Sequence, residues 1–481
     1  MTVADVIEAL DDTVSFEYRG NTEQLFRGAA TSLRRGEVRR RFWVVRDRDW
    51  TRRRRDFYRG SASSAEGDLA AAIEWGAEGV ICGPEYKDSP LLEGMNVFFT
   101  PSTIDFTCRL IEAQRRLIRG RRTIAVTGSA GKTTTTAMIA HCLQALDPES
   151  SIQHNDRNRN FLHWALAYQT RTHRYAHSVP EISGAALSHD WDHYAISPDV
   201  AIVTSIAEAH LAAHGDLAGV ARDKSNIFKS PPPDGAAVIN IDTPYSEVLV
   251  ATAQSEGAKL ITYGESPHAD LRLKDYDLAT GRVRASIGGS EVEYTLSAKG
   301  KHLAMNSLAT LATLRDLGLD WQSGMASLES FVPPVGRGQE AAVPLPGGGE
   351  FTLLDGSYNA NPASMRAALA SLGESAPQSR RIAVLGDILE LGTHYEEVHQ
   401  SLVPDIHAAH LDSLHLVGEN MHAMQRGNPH LASDVQCWST VEELISHLPS
   451  TLRPGDVVLI KGSGATGLKA LAAHFLTSGS S

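Results

Sequence analysis

Short apolar runs alternate with longer amphipathic stretches along most of the chain. In the first quarter, residues 42–45, 80–82 and 96–100 are short and apolar, which is typical of buried strands. Residues 104–118 are long enough and patterned to form a helix. This order of elements predicts a small α/β unit, which ends at the basic stretch 119–122.

A further apolar run, residues 124–126, leads directly into a glycine-rich turn and then into a helical pattern. Backbone N–H groups of such a turn can approach a phosphate closely, and the helix dipole favours negative charge there. A lysine adds a point charge, and a threonine hydroxyl can bind Mg²⁺. The spacing Gly-x-x-Gly-Lys-Thr-Thr therefore predicts an ATP-binding loop in preference to a turn that merely caps a helix. The candidate nucleotide-binding residues are Gly128, Ser129, Ala130, Gly131, Lys132, Thr133 and Thr134.

Composition limits the class of protein. The 481 residues suffice for about three domains, and 42% apolar with 21% charged residues is ordinary for a globular protein. The four cysteines show no paired spacing, which argues against a disulfide framework and a zinc site. A net charge of −12 argues against a nucleic-acid partner. Because we find no signal peptide and no apolar stretch of membrane-spanning length, we expect a cytoplasmic protein without a membrane segment.

One segment departs strongly from the acidic average of the chain. Residues 34–59 are dense in arginine, which suits either a solvated face or a site for an anionic substrate. RNA binding is less favoured, because the aromatic residues lack an interleaved stacking pattern. Both of the first two interpretations stay open at this stage.

Three later residues extend the chemistry of the phosphate loop. Glu181 lies in the stretch Val-Pro-Glu-Ile-Ser-Gly, His210 ends the stretch Thr-Ser-Ile-Ala-Glu-Ala-His, and Lys224 lies in Ala-Arg-Asp-Lys-Ser-Asn. Together with the phosphate loop, these motifs resemble those of the Mur ligase family. The resemblance implies that Glu181, His210 and Lys224 are Mg²⁺ ligands, that Thr133 of the loop joins them, and that Lys224 is carbamylated. Carboxylate and phosphate oxygens are the ligands that Mg²⁺ prefers.

Two residues in these motifs depart from the family pattern. Ser205 replaces an asparagine of the family, and Asn226 replaces a glutamate. Both positions adjoin the expected metal site, so both departures bear on metal binding.

The resemblance continues towards the end of the chain. Residues 353–365 and 381–392 are close to the branch of the family that adds D-alanyl-D-alanine. Gly356 and Gly464 depart from that pattern, because the family carries an aspartate and an arginine there. The arginine of a Gly-Arg pair, which reaches the γ-phosphate in the family, falls at position 337. The resemblance adds to the candidate nucleotide-binding residues Asn240, Asn306, Arg337, Asp355 and Asn359.

The resemblance implies an α/β fold of three domains. These are a small N-terminal substrate-binding domain (1–121), a central parallel-sheet P-loop ATPase domain (122–334) and a C-terminal α/β ligase domain (335–481). The implied reaction transfers the γ-phosphoryl group of ATP to a carboxylate, and an amine then attacks the acyl phosphate. The partners are therefore a small-molecule carboxylate and an amine, with ATP and two Mg²⁺ ions as cofactors, and the protein would be a monomer or homodimer. The implied catalytic residues are Lys132, His210, Lys224 and Arg337.

Two other functions remain open at this stage. One is the same chemistry on an acid that carries no UDP-linked sugar, as in ligases of specialised metabolites or polymers. It is favoured by Gly356, by Gly464 and by a first domain in which the family's Asp-Ser-Arg uridine signature has no clean counterpart. The other is a P-loop NTPase that acts as a switch, which Ser205 and Asn226 leave open. ATP hydrolysis that depends on both an acid and an amine separates a ligase from a switch.

Overall fold

The computed structural model describes most of the chain, but not the whole of it. The described residues are 1–10, 14–30, 38–45, 65–117, 122–154, 175–188, 197–208, 216–298, 300–374 and 379–478. His210 and most of the arginine-dense segment therefore lie outside the described residues. Within the described part of that segment, Arg39 and Arg40 are exposed.

The first sheet has five strands in the order β1-β5-β4-β3-β2, and all of its neighbours are parallel except β1 and β5. Strands β3 and β4 are buried along their whole length, as is usual for interior strands of parallel sheets. The rings of Phe42, Phe98 and Phe106 pack in one cluster beneath them. The strands are β1 Glu17–Arg19, β2 Ala29–Ala30, β3 Phe42–Val44, β4 Gly79–Cys82 and β5 Asn96–Phe99, and the helices are α1 Val3–Ala9, α2 Ala65–Glu74 and α3 Thr103–Leu117.

The second sheet has nine strands in the order β14-β13-β12-β11-β10-β9-β6-β8-β7. Its strands are β6 Arg122–Thr127, β7 Ser151–His154, β8 Tyr175–Val179, β9 Val200–Val203, β10 Ala236–Asn240, β11 Lys259–Gly264, β12 Leu271–Asp277, β13 Arg282–Ile287 and β14 Ser290–Thr295. Its helices are α4 Lys132–Leu146, α5 Gly184–Ser188, α6 Leu217–Ser225, α7 Ser246–Ser255, α8 Lys301–Asp316 and α9 Trp321–Ser327.

The two faces and one edge of this sheet differ in environment. Strands β9 and β10 are buried on both faces, because α4 and α8 pack on one face and α6 and α7 on the other. From β7 to β12 the pairing is parallel, as the α/β pattern predicts. The last two strands, β13 and β14, are antiparallel and were not anticipated from the sequence. Along β13, buried residues alternate with exposed or half-buried ones, which is typical of a sheet with one solvated face.

The third sheet has six strands in the order β15-β16-β20-β17-β18-β19, of which only β15 and β16 pair antiparallel. Its strands are β15 Gln339–Pro344, β16 Glu350–Gly356, β17 Arg381–Gly386, β18 Ser413–Val417, β19 Asp434–Trp438 and β20 Val457–Lys461. Its helices are α10 Pro362–Glu374, α11 Tyr395–Gln400, α12 Val403–Ala408, α13 Glu419–Gly427, α14 Val441–His447 and α15 Lys469–Ser478. In the described parts of the chain, no helix is both long and apolar enough to span a bilayer.

The topology of the second sheet sets the position of the site. Strand β6 lies between β8 and β9, so the direction of the strand order changes at β6. The chain continues from β6 to β7 and β8 on one side and then crosses to β9 on the other side. Open parallel sheets bind ligands in the crevice at such a point. The phosphate loop follows β6 directly, and the strands of the third sheet close the crevice from the opposite side.

Candidate active site

The phosphate loop is formed by the turn between β6 and α4. Gly131 has a left-handed φ of 82°, and α4 begins at the next residue, Lys132. A Cβ atom at Gly131 would lie 2.8 Å from the side-chain oxygen of Asn306, and one at Gly128 would overlap the Thr204 hydroxyl. Glycine is therefore required at both ends of the turn that leads into the N-terminus of α4.

The residues that follow β9 hold this loop in place. The Ser129 N–H donates to the Ser205 carbonyl at 2.8 Å, and the Ala130 N–H donates to the Ser205 hydroxyl at 3.0 Å. The Ser129 hydroxyl exchanges two hydrogen bonds with the backbone of Ala207, at 3.0 and 2.9 Å. Ser205, one of the departures from the family pattern, thus supports the phosphate loop. The other departure, Asn226, donates to the Leu187 carbonyl at 2.9 Å and ties α5 to the end of α6.

Lys132 lies at the base of the loop. Its ammonium group donates to the Gly128 carbonyl at 2.7 Å. Burial lowers the pKa of Lys132, Glu181 opposes that effect, and Arg337 adds to it. The lysine therefore lies within electrostatic range of a carboxylate and of a second cation, one from each side of the crevice.

Two of the predicted metal ligands are in direct contact. The Thr133 hydroxyl donates to the Glu181 carboxylate at 2.6 Å, and Glu181 is only 1% exposed. A β-bridge between Val126 and Glu181 fixes the backbone of the glutamate beside β6. A hydroxyl and a carboxylate next to a phosphate loop form the oxygen donor set that suits Mg²⁺. His210, the third predicted ligand, lies outside the described residues.

Lys224 is buried beside this pair. It lies in the last turn of α6 and is 3% exposed. Burial and the charge of Lys132 lower the pKa of Lys224 to about 7, against the opposing effects of Asp223 and Glu181. The neutral fraction of the Lys224 amine near pH 7 is therefore far larger than that of a free surface lysine.

Arg337 reaches the cleft from the segment before β15. Its guanidinium carbon lies 4.0 Å from the centre of the Tyr358 ring, and its Nε is buried without a hydrogen-bond partner. Lys469, at the start of α15, lies over the same ring at 4.2 Å. Lys461, at the end of β20, is 6% exposed, and burial together with Arg337 lowers its pKa to about 8. The third sheet therefore presents several cations to the phosphate loop.

The remaining predicted nucleotide contacts take different positions. Asn306 is 6% exposed, and its side-chain nitrogen has no hydrogen-bond partner although it lines the cleft. Asn240 also lines the cleft, but its amide already bonds the Thr204 carbonyl at 3.1 Å and the Asp242 N–H at 3.0 Å. Asp355 is 2% exposed and accepts from the Ser357 N–H at 3.0 Å. Asn306 therefore has a buried side-chain donor that is available to a ligand.

Asn359 supports the loops of the third sheet. Its carbonyl accepts from the Lys461 ammonium at 3.0 Å, and its side-chain oxygen accepts from the Gly464 N–H at 3.2 Å. These two contacts help to form the wall of the cleft, independently of any contact between Asn359 and a nucleotide. A Cβ atom at Gly464 would lie 3.6 Å from the Lys469 ammonium, so that lysine occupies the space beside the missing side chain.

Most of these groups line one cleft of about 980 Å³, whereas Gly128, Thr133, Lys224 and Asp355 lie outside its lining. Its walls combine the phosphate loop with the loops that follow β16, β17 and β20. A volume of this size is at the upper end for small-molecule sites, so a nucleotide and part of a second substrate can fit together. The chemistry available is anion binding, metal binding and electrostatic stabilisation of a transferred phosphoryl group.

The sequence did not identify every residue of this site. Thr204, Tyr358, Asn361 and Lys469 were not among its candidates, although each lines the cleft. Tyr358 and Asn361 lie in the stretch 353–365, which was recognised as a motif, so the motif itself was their signal. Thr204 begins the Thr-Ser-Ile-Ala-Glu-Ala-His motif, which was its signal. The contacts of Lys469 depend on how distant parts of the chain meet, and no local pattern indicates them.

Comparisons with known proteins agree with this geometry. The family model of the Mur ligase middle domain matches residues 126–314, and that of the Mur ligase glutamate ligase domain matches residues 345–464. Crystal structures of MurF from Acinetobacter baumannii and of MurF ligase from Thermotoga maritima in complex with ADP share the fold. Their TM-scores are 0.77 and 0.74, each at 21% identity; they cover 99% and 94% of this chain, which covers 98% and 97% of theirs.

Similar sequences support an assignment of the family and the type of enzyme as well as the fold. A UDP-N-acetylmuramoyl-tripeptide–D-alanyl-D-alanine ligase of Bacillus subtilis is 27% identical over 396 residues, which span 82% of this chain and 83% of the relative. The ligase of the same name from Synechocystis sp. is 31% identical over 365 residues, 73% of this chain and 74% of the relative. The chain therefore belongs to the Mur ligase family and is an ATP-dependent ligase that joins a carboxylate to an amine.

Proposed function

We propose that the cleft forms an acyl phosphate and then an amide at the contact between the phosphate loop and the third sheet. A carboxylate oxygen of the acid attacks the γ-phosphorus of ATP, and ADP leaves. The amine nitrogen then attacks the acyl carbon, loses a proton, and expels inorganic phosphate. The observation that carries this proposal is the contact of Thr133 with Glu181, with Lys132 and Arg337 within electrostatic range of each other.

Each cation has a distinct role in the proposal. Lys132 belongs to the loop that binds the β- and γ-phosphates, and Arg337 approaches from the other wall to meet the oxygens of the group in transfer. Asn306 lies against Gly131 of this loop, and its amide nitrogen is free to donate to the nucleotide. Asn240, Asp355 and Asn359 are assigned to the nucleotide site on the strength of the family resemblance.

We assign the metal site to Thr133, Glu181, His210 and Lys224, with two Mg²⁺ ions when ATP is bound. When bound, Mg²⁺ would neutralise the charge of the phosphates. The oxygens of Thr133 and Glu181 are of the kind that Mg²⁺ prefers as ligands. Carbamylation of Lys224 would replace a cation by an anion beside Glu181. Its pKa of about 7 supports that assignment, because only a neutral amine attacks CO₂ to give a carbamate and a proton.

Carbamylation of Lys224 has a direct test. Activity should fall in bicarbonate-depleted buffer, and a Lys224→Ala variant should recover partly when a short carboxylate such as acetate is added. High-resolution density that ends at a plain ammonium, in a crystal containing nucleotide and Mg²⁺, would contradict the assignment.

The proposed amine and acid are assigned to the last and the first domain of the chain. Residues 353–365 and 381–392 resemble the branch that adds D-alanyl-D-alanine, so we propose this dipeptide or a close relative as the amine. We assign residues 335–481 to the amine side, 122–334 to ATP, and 1–121 to the acid. The acid is anionic and differs from the UDP-linked tripeptide, since the first domain lacks a clean uridine signature.

A screen for phosphate release tests the proposed function. The full chain is incubated with ATP, Mg²⁺, D-alanyl-D-alanine and one acid at a time, including the UDP-linked tripeptide and other anionic carboxylates. Phosphate release that needs both the acid and the amine, with amide product detected by mass spectrometry, supports the proposal. Release that is indifferent to both substrates would contradict it, and the omission of each substrate in turn is the control.

A further inference from the structure

One side chain joins the wall of the third sheet to the phosphate loop. The side-chain nitrogen of Asn361 donates to the carbonyl of Ser129 at 2.9 Å. The two residues are 232 positions apart in the chain and lie in loops that follow strands of different sheets. The bond therefore depends on the relative position of the two walls of the cleft.

The rest of Asn361 is fixed at the start of α10. Its side-chain oxygen accepts from the Ser364 N–H at 2.8 Å, and its carbonyl accepts from the Met365 N–H at 2.9 Å. Its own N–H donates to the Ser364 hydroxyl at 3.1 Å. Asn361 thus caps the helix that Pro362 opens, and the cap aims the remaining amide group at the phosphate loop.

The acceptor is equally well fixed on the other wall. Ser129 is bonded to Ser205 through its N–H and to Ala207 through its hydroxyl. Its carbonyl is therefore held by the same contacts that shape the phosphate loop. A change in the loop on nucleotide binding must reach Asn361.

Asn361 also ends a short loop, residues 357–361, that supports the cations of the third sheet. Tyr358 in this loop carries Arg337 and Lys469 on its ring, at 4.0 and 4.2 Å. Asn359 bonds the Lys461 ammonium and the Gly464 N–H. The position of the 357–361 loop therefore sets the positions of the cations that face the phosphates.

We propose that Asn361 is a positioning residue that couples the occupied phosphate loop to the cation-bearing loop 357–361, so that the cleft closes before the acyl phosphate forms. This inference rests on the proposed function. Closure matters because an acyl phosphate exposed to water is hydrolysed, and ATP is then consumed without an amide. Asn361 touches neither reacting atom in this scheme and acts through Ser129 and the 357–361 loop.

The variant Asn361→Ser isolates the cross-wall bond. Serine caps a helix about as well as asparagine, so α10 and the melting temperature should be preserved. Its side chain is too short to reach the Ser129 carbonyl. We expect the affinity for a non-hydrolysable ATP analogue with Mg²⁺ to fall about fivefold, the effect of losing one hydrogen bond. We also expect the ratio of ADP to amide to rise about twofold or more, because water reaches the acyl phosphate.

Closure itself is measured by hydrogen exchange on the full chain. In the wild type, the analogue and Mg²⁺ should protect amides in both the phosphate loop and the 357–361 loop. In Asn361→Ser, protection should persist in the phosphate loop and be lost in the 357–361 loop. A purely structural role for Asn361 would change both regions with or without the analogue, and would lower the melting temperature.

Asn428→Ser is the matched control. Asn428 lies in the same part of the chain, and its side chain bonds Gln400 at 2.8 Å and the Met424 carbonyl at 2.9 Å, away from the cleft. This variant should keep the wild-type ratio of ADP to amide and the wild-type exchange pattern.

The outcomes separate this inference from the proposed function. If Asn361→Ser keeps both the coupled protection and the wild-type ratio, the inference is overturned. If no acid–amine pair yields an amide, the proposed function fails, while the exchange measurement, which needs only the analogue and Mg²⁺, still decides the role of Asn361.

Discussion

Basic side chains crowd the walls of the cleft, and each makes the charge of its neighbour less favourable. Burial is the main cause of the lowered pKa values of Lys132, Lys224 and Lys461, but a second cation contributes to each. Arg337 acts on Lys132 and Lys461, and Lys132 acts on Lys224. A polyphosphate in the cleft relieves this repulsion, so the cluster favours an anionic ligand strongly.

Replacement of Lys132 by alanine tests the centre of that cluster. The lysine bonds only a loop carbonyl of its own turn, so we expect Lys132→Ala to fold normally. Turnover should fall by about 10³-fold or more, because the phosphoryl group in transfer loses a nearby cation. Steady-state rates of ATP-dependent amide formation, with circular dichroism as a check of the fold, measure both effects. Lys274→Ala, at an exposed lysine paired with Glu291, is the control, and near-normal turnover of Lys132→Ala would contradict the assignment.

The buried Lys224 predicts a pH dependence of stability. Its pKa is about 7 in the fold and near 10.5 in the unfolded chain, so between these values the unfolded chain binds more protons. The cost of burying the charge is therefore complete below pH 7, shrinks as the pH rises, and vanishes above about 10.5. We expect Lys224→Met to raise the free energy of unfolding at pH 6.5 by on the order of 5 kcal/mol, and by little at pH 10.

Urea denaturation in bicarbonate-free buffer, at several pH values between 6 and 10, measures this difference. Lys274→Met serves as the exposed control and should leave the pH profile of stability unchanged. Parallel profiles for the wild type and Lys224→Met would mean that the lysine is not buried as a cation at low pH.

At the scale of single elements, the turn between β6 and α4 depends on a neighbouring strand. The end of β9 supplies the hydroxyl of Ser205, which accepts from the Ala130 N–H, and the Thr204 hydroxyl, which donates to the Ala130 carbonyl. The phosphate loop is thus held in shape by the two residues that follow β9, not by its glycines alone. The family's asparagine at position 205 has been replaced by a residue that retains a side-chain oxygen acceptor.

Ser205→Ala tests this support. The Ala130 N–H loses its acceptor, so we expect the KM for ATP to rise about fivefold with a smaller change in kcat. Ser205→Thr keeps the hydroxyl and should restore the wild-type KM. The kinetic constants for ATP, at saturating acid and amine, measure the effect. An unchanged KM in Ser205→Ala would show that the loop holds its shape without this bond.

The sequence predicted these local elements well, but it did not predict the contacts between elements that are distant in the chain. Apolar runs and glycine spacing located β6, the phosphate loop and α4, because both signals are local and depend on backbone geometry. The antiparallel strands β13 and β14 were missed, since alternating short strands look alike whichever way they pair. The bond between Asn361 and Ser129 was missed because it depends on how two sheets dock. The predictions for His210 and for most of the arginine-dense segment fall outside the described residues and remain predictions.

At the scale of the whole molecule, we propose that the ligase chemistry and the choice of acid belong to different parts of the chain. The phosphate loop, Glu181, Lys224 and Arg337 meet between the second and third sheets. The first sheet, residues 17–99, takes no part in the lining of that cleft among the described residues. We therefore expect changes in the first domain to alter the choice of acid while leaving phosphoryl transfer intact.

We accordingly predict that this protein is not interchangeable with the UDP-tripeptide ligases that it resembles. The arginines from Arg46 onward follow the carboxyl end of β3 in the chain, the end at which α/β sheets bind ligands. A site built to hydrogen-bond one ligand rejects others that leave its polar groups unpaired, often by factors of roughly 10⁴. The measurement is kcat/KM with the UDP-linked tripeptide and D-alanyl-D-alanine, beside the best acid of the phosphate-release screen as the positive control. We expect a value well below that of an ordinary natural substrate, and an efficiency of about 10⁴ M⁻¹s⁻¹ or more would refute the prediction.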